Sequence, residues 1–295
     1  MDRPELLRPL LPRVPRNAIP DGACDCHTHV FASPDRFPFA YPPSYPVPLA
    51  PVDLRLRVAD AARLNRGVIV QASPYGSNPD LLLEALTRSN GRIRGIAVAD
   101  ADISEDQVRR LHAAGVRGLR FIENRLPDGS RYSGSVSLTA LKEIAPLLAI
   151  FSWHVELWSP LATTLSNWDR LAAHGLPVVL DHMGGVNPHL GVNHRHFRSL
   201  LALLREGAVW VKLALCRCVS PPGAYAMIRA FHDAIVEANP ARLLWGTDWP
   251  FVRMNEPPDV ADLLDLFVDW VGDPTIVRQI LVENPQLRYD FSSFF

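Results

Sequence analysis

Asp25-Cys26-His27-Thr28-His29 closes the first β-rich apolar run of the chain, Ala23–Val30. Side chains alternate with period two along a strand, so Asp25, His27 and His29 are expected on one face and Cys24, Cys26 and Thr28 on the other. Three later stretches repeat the pattern of an apolar run with polar chemistry at its end. His154 ends a run at Ile150–Leu157. His182 follows Pro177–Asp181 in Leu180-Asp181-His182-Met183-Gly184-Gly185. Asp248 follows Arg242–Gly246 in Trp245-Gly246-Thr247-Asp248-Trp249-Pro250. Gly67–Gln71, Arg94–Ala99, Val116–Ile122 and Val209–Leu215 bring the candidate strands to eight.

Between these runs apolar residues recur at three- and four-residue spacing over Leu54–Leu64, Asp80–Ser89, Glu105–Ala114, Leu138–Leu147, Leu161–His174, His196–Glu206, Ala224–Ala238 and Val260–Val271, which predicts helices. Alternating strands and helices call for an α/β fold with a parallel sheet. A closed barrel and an open doubly wound sheet both satisfy that order. The polar residues decide between them, because the C-terminal ends of barrel strands converge on one mouth while those of an open sheet spread apart. The expectation is a (β/α)8 TIM barrel, and 295 residues suffice for the roughly 250 such a barrel needs.

Residues 1–21 read as an N-terminal extension and 22–295 as one barrel domain. The Pro-rich segment 33–51 holds Phe37, Phe39, Tyr41 and Tyr45 and reads as a long ordered loop over the barrel mouth. Thirty Lys and Arg against 31 Asp and Glu leave a formal net charge of −1, so no global field favours nucleic acid or an anionic membrane. No apolar run approaches the ~20 residues of a membrane span, and residues 1–20 lack a secretory h-region, so a cytoplasmic location is expected. Cys24/Cys26 and Cys216/Cys218 form two C-x-C pairs. Buried reduced thiols are the favoured reading over structural zinc, whose ligands are usually spaced C-x2–4-C. Apolar helix faces do not divide between core and subunit interface, so oligomeric state stays open.

Two imidazoles at the end of a barrel strand can bind one metal or polarise one carbonyl. The H-x-H pair, the Asp-His-Met-Gly-Gly stretch, the Trp-Gly-Thr-Asp-Trp-Pro stretch and the ending Glu283-Asn284-Pro285-Gln286-Leu287-Arg288-Tyr289-Asp290-Phe291 together resemble the amidohydrolase superfamily. Within it the chain is similar to the branch of pyrone-dicarboxylate, muconolactone and sugar-acid lactonases, from about Gly22 to Phe291. That resemblance implies a lactonase in aromatic- or sugar-acid breakdown. His27, His29 and His182 would polarise the lactone carbonyl, and Asp248 would accept a proton from the attacking water. It further implies substrate contacts from Ser73, Arg120, Arg125, His154, Trp158 and Arg217, with Arg131 a rival to Arg125. Trp158 stands where the branch carries a tyrosine, and an indole donates only through its ring nitrogen.

The physical reading runs alongside. Lactone hydrolysis builds negative charge on the carbonyl oxygen, which donors aimed there stabilise, while a carboxylate deprotonates water. Arginine suits a carboxylate because its planar fork pairs with both oxygens. For Arg125 a surface ion pair is an equal reading. The fourth run, Val116–Ile122, supplies no lysine to bridge two metals. His27, His29, His154 and Asp248 could hold one zinc or other divalent ion, but no metal is favoured. Lys212 reads as structural. The expected partner is a small carboxylated lactone. The alternatives are a mononuclear metal-dependent decarboxylase or C–C hydrolase of an aromatic or muconate-like acid, and a non-catalytic carboxylate-binding barrel.

Overall fold

The computed structural model describes residues 9–219 and 223–291. Eight parallel strands form one sheet in sequence order: β1 Cys24–Thr28, β2 Arg66–Val70, β3 Ile93–Ala97, β4 Val116–Ile122, β5 His154–Trp158, β6 Val178–Leu180, β7 Val209–Leu213 and β8 Leu243–Trp245. The first and last strands meet at a seam. Thr28 bridges Trp249 in parallel sense. There the Asp248 N–H donates to the His27 carbonyl at 2.8 Å and the His29 N–H to the Trp249 carbonyl at 2.8 Å. The barrel expected from the polar strand ends is the barrel found.

Helices cover the outside because each buries one apolar stripe against the strands. Helix Arg195–Arg205 turns Phe197, Leu200, Leu201 and Leu204 inward. Helix Glu105–Ala114 starts at a capping box between Ser104 and Gln107 and stops at Gly115, which has φ 107°. The expected helix Leu161–His174 breaks into Leu161–Ser166 and Trp168–Ala172. The break falls at Asn167, whose backbone leaves the helical region at φ −106° and ψ 5° and whose side-chain amide donates to the Thr163 carbonyl at 2.9 Å.

Two sequence expectations shift at the strands. Helix Leu141–Ile150 takes up the residue expected to open the fifth strand, and the chain turns at Ser152 with φ 54°. His154 therefore begins β5 rather than ending it, and Trp158 takes the mouth. In β1 the register against β2 shifts between Asp25 and Thr28. Asp25 leaves the face of His27 and His29, pairs with Arg55 of helix Val52–Ala61 at 3.7 Å and accepts from the Thr247 N–H and hydroxyl.

Residues 9–21 lie along helix Val260–Val271. The buried Asp265 carboxylate accepts from the backbone N–H groups of Arg16 and Asn17 and from the Arg13 guanidinium. Burial pushes this carboxyl up, but those donors outweigh it and hold it below the usual aspartate range. The resulting stabilisation is in place above the unfolded aspartate value, about 3.9, and disappears as pH falls through the lower folded value. Asp265→Asn should therefore free residues 9–21 at neutral pH, seen as faster amide exchange there. The wild-type chain should lose that protection only in stronger acid.

The seam tolerates no side chain at Gly246, where a Cβ would lie 2.7 Å from the His27 Cβ and 2.9 Å from its backbone nitrogen. Gly246→Ala should cost about 1–3 kcal/mol in denaturant unfolding, the usual cost of overpacking a core. An unchanged midpoint would mean that the seam gives way freely.

Candidate active site

The polar ends of the strands reach the mouth by unusual backbone. His182 (φ 49°) and Met183 (φ 54°) both sit in the left-handed region, as do Gly184 and Gly185. This turn throws the His182 ring back over the barrel. Gly185 is required there, since a Cβ would stand 2.0 Å from the Ser159 carbonyl oxygen. Asp248 is also left-handed, with φ 61°. Such conformations cost of order 1–3 kcal/mol each and persist where packing over-determines them.

Asp248 lies at the centre. One carboxylate oxygen is 3.0 Å from His29 Nε2 and 3.5 Å from His27 Nε2; the other is 3.3 Å from His182 Nε2. The second oxygen also accepts from Arg217 Nε. Burial pushes this carboxyl up, but Arg217, His182 and His29 prevail and hold it well below the usual range. Burial lowers His182, and Asp248 only partly offsets that. His27 is pushed well below its ordinary value by burial, which the adjacent Asp181 opposes and Lys212 reinforces.

Beneath this cluster lies a fully buried layer. Lys212 Nζ donates to Glu156 at 2.5 Å and lies 3.5 Å from Asp181 and 3.3 Å from His27 Nδ1. Asp181 stands 3.1 Å from the same His27 nitrogen and accepts from Arg120 at 3.3 Å. Burial and the charge of Asp181 raise Glu156 to about 7, against the pull of Lys212. His29 is fixed by its own Nδ1, 2.7 Å from the Val70 carbonyl.

A cavity of about 380 Å3, counted out to its open rim, opens above Asp248. His29, Ser73, Arg120, Trp158, His182, Arg217 and Asp248 line it; His27, expected there too, is fully buried and lies behind Asp248 at 3.5 Å. Two expected contacts do not reach it. His154 is buried at the opposite end of β5, its ring 5.5 Å from that of Tyr289. Four residues of strand, at roughly 3.3 Å each, separate it from the level of Trp158. Arg125 is exposed, in a loop whose backbone bridges Arg131. Arg131 turns to Glu123 and the Ile122 carbonyl instead.

Five lining residues were missed: Tyr45, Ile122, Tyr132, Val252 and Arg253. Tyr45 hydrogen-bonds Ser73, delivered by the Pro-rich loop whose ends pair at Phe31 and Ala50. Its aromatic packing was a signal that the loop is ordered, though not of this contact. Tyr132 and Arg253 lie in irregular segments with no periodicity to read. With the Asn124 amide turned so that its oxygen faces the indole, it accepts from the Trp158 N–H at 2.7 Å and leaves Trp158 to offer the cavity its ring.

His27 Nε2, His29 Nε2 and an Asp248 oxygen lie within 4.8 Å of one another, and this donor set fits one divalent ion. Such an ion, when bound, would supply Lewis-acid polarisation of a carbonyl and an acidified water. His154, the fourth ligand expected, is out of reach. Among the described residues no candidate metal group contains a cysteine; all four thiols are free, and Cys24, Cys26 and Cys216 are buried.

A parallel eight-stranded barrel with histidines and an aspartate converging on one mouth is the architecture of the amidohydrolase barrels. Residues 24–291 match the family model described as Amidohydrolase, and the chain belongs to that family. It is 32% identical to a 2-pyrone-4,6-dicarboxylate hydrolase of Comamonas testosteroni, over 94% of this chain and 93% of that one. It is equally 32% identical to a 4-sulfomuconolactone hydrolase of Rhizobium radiobacter, over 91% and 90%. A solved structure from Pseudomonas putida, assigned as a 2-pyrone-4,6-dicarboxylic acid hydrolase, superposes with a TM-score of 0.81 at 25% identity, covering 94% of this chain and all of that one. No helix among the described residues is long and apolar enough to cross a membrane.

The buried layer gives a direct test. Lys212→Met strands Glu156 and Asp181 without their shared cation and should cost about 3–5 kcal/mol in urea unfolding. A loss below 1 kcal/mol would show that this layer is not an electrostatic unit.

Proposed function

We propose that the chain hydrolyses a small carboxylated lactone, with His27, His29 and His182 polarising the ring carbonyl and Asp248 taking the proton of the attacking water. The observation that supports this best is the convergence of three imidazole Nε2 atoms within 3.0–3.5 Å of one carboxylate. The lactone hydrolases among its relatives supply the substrate class. Water adds to the carbonyl carbon as its proton passes to Asp248. The acyl C–O bond then breaks, and the departing oxygen takes the proton back. An aspartate held well below its usual range stays a carboxylate throughout the neutral range, at the cost of base strength. Arg120 and Arg217 supply positive charge to hold the acid groups of the substrate.

The reaction is proposed to proceed without a metal. Asp248 is already neutralised on one side by Arg217, and Lys212 stands behind His27. Added positive charge between them meets repulsion from both. A decarboxylase-type centre would want the fourth ligand that His154 does not provide. A carboxylate-binding barrel without turnover would give no role to three imidazoles gathered around one buried carboxylate.

Asp248→Asn should lower kcat at least about 10^3-fold on any lactone that the wild-type chain opens, with circular dichroism unchanged. Full activity in that variant would remove Asp248 from the chemistry. Treatment with a strong chelator should leave turnover intact and elemental analysis should find no stoichiometric metal. Loss on chelation, with recovery on adding zinc or manganese, would overturn the metal-free reading.

A further inference from the structure

The hydrolytic chemistry uses Arg217 but leaves the two cysteines beside it without a role. Cys216-Arg217-Cys218 follows β7 as one tight turn, with the 3-10 segment Leu215–Arg217 closed by the Cys218 N–H on the Leu215 carbonyl at 3.1 Å. On a strand the two thiols would share a face; at three residues per turn successive side chains fan out about 120° apart. β7 lies between β6 and β8, so the fan opens onto both neighbours. Cys216 Sγ donates to the Thr247 carbonyl beyond β8 at 3.3 Å. Cys218 Sγ donates to the His182 carbonyl beyond β6 at 3.4 Å. Between them Arg217 bonds the Asp248 carboxylate and, at 2.7 Å, the Val252 carbonyl.

Both carbonyls that receive a thiol belong to the two left-handed turns of the mouth. His182 has φ 49°, and Thr247 hands the chain to Asp248 at φ 61°. A left-handed residue keeps its conformation only where its surroundings over-determine it. Each thiol grips one turn by its carbonyl, at the point from which the His182 ring or the Asp248 carboxylate is aimed. Those two side chains meet at 3.3 Å. Burial pushes both thiols up, Cys218 to about 12, so both keep the S–H proton that donation needs. A thiol is a weak donor. Even so, a displacement of about 1 Å among reacting groups can cost about 100-fold in rate.

We infer that Cys216 and Cys218 are positioning residues, a pair of thiols on one turn that holds the His182 and Asp248 turns in register with each other across β7. The inference rests on the hydrolytic reading of those two groups and adds the parts that keep them aimed.

The test removes each thiol and measures kcat and KM on a carboxylated lactone that the wild-type chain opens. Cys218→Ala should lower kcat about 10-fold and leave KM within about twofold, the pattern of a displaced reacting group rather than of lost substrate binding. Cys216→Ala should do the same through Asp248. Cys218→Ser keeps a donor and should recover most of the lost kcat without any gain in stability, since it buries a hydroxyl. Cys24→Ala deletes a fully buried thiol at the opening of β1 and serves as the control, with a lower urea midpoint and an unchanged kcat. An unchanged kcat in either alanine variant removes that thiol from the pair. An equal loss of kcat in Cys24→Ala, or a serine variant no better than alanine, would overturn the assignment. Should the wild-type chain open no lactone, the hydrolytic reading falls, and crystal structures of the two alanine variants decide this one separately. The separation of His182 Nε2 from Asp248, 3.3 Å in the intact chain, should then lengthen by about 0.5 Å or more, the tolerance of a working site, and an unchanged separation would sink it.

Discussion

The site depends on a lysine with no access to water. Lys212 projects from β7 into the barrel interior, where Glu156, Asp181 and His27 surround it. Two carboxylates buried side by side repel each other, and the conflict falls on Glu156, raised to about 7 by burial and by Asp181. Asp181 stays ionised, because His27, Lys212 and Arg120 outweigh its burial. This fixed negative charge sits directly under the mouth. It orients His27 from below and anchors Arg120 from the side, so imidazole and guanidinium are placed by the same anion. A barrel filled with aliphatic side chains at this level would be easier to stabilise. It would hold neither group in place.

The seam does the complementary work from above. β1 and β8 carry His27, His29 and Asp248, and backbone hydrogen bonds from Asp248 to His27 and from His29 to Trp249 join the strands where the reacting groups emerge. The imidazole–carboxylate spacing is therefore set by sheet register rather than by side-chain choice alone. The left-handed backbone at His182 and Asp248 belongs to the same economy of space. Both residues must turn back over the barrel within a few residues of their strands' ends.

Much of this was legible in the sequence because strands and helices write their periods into it. The eight runs and the polar ends of the first, sixth and eighth fix the barrel and bring His27, His29, His182 and Asp248 together. The fifth run misled for a local reason. Ile150 and Phe151 are β-formers by composition, yet the preceding helix extends to Ile150, which displaces His154 from the mouth to the far end of the strand. Asp25 misled because a register shift is invisible to a period-two pattern. Tyr132 and Arg253 come from loops, whose conformation follows tertiary contacts that no periodicity records. Lys212 was read as structural; its strand position was clear, but its contacts with residues from three other strand ends were not.

The electrostatics of the mouth divide it into two parts. The Asp248 carboxylate is satisfied by Arg217 and the imidazoles, which hold it well below the usual aspartate range. The far wall is separate. Trp158 stands between it and His182, its ring 5.8 Å from the imidazole, and carries guanidiniums supplied by β4 and by the loop after β8. Changes in those loops can re-aim the far wall while Asp248 and the three histidines, held at the ends of β1, β6 and β8, keep their geometry, because strand register places the one group and loop conformation the other.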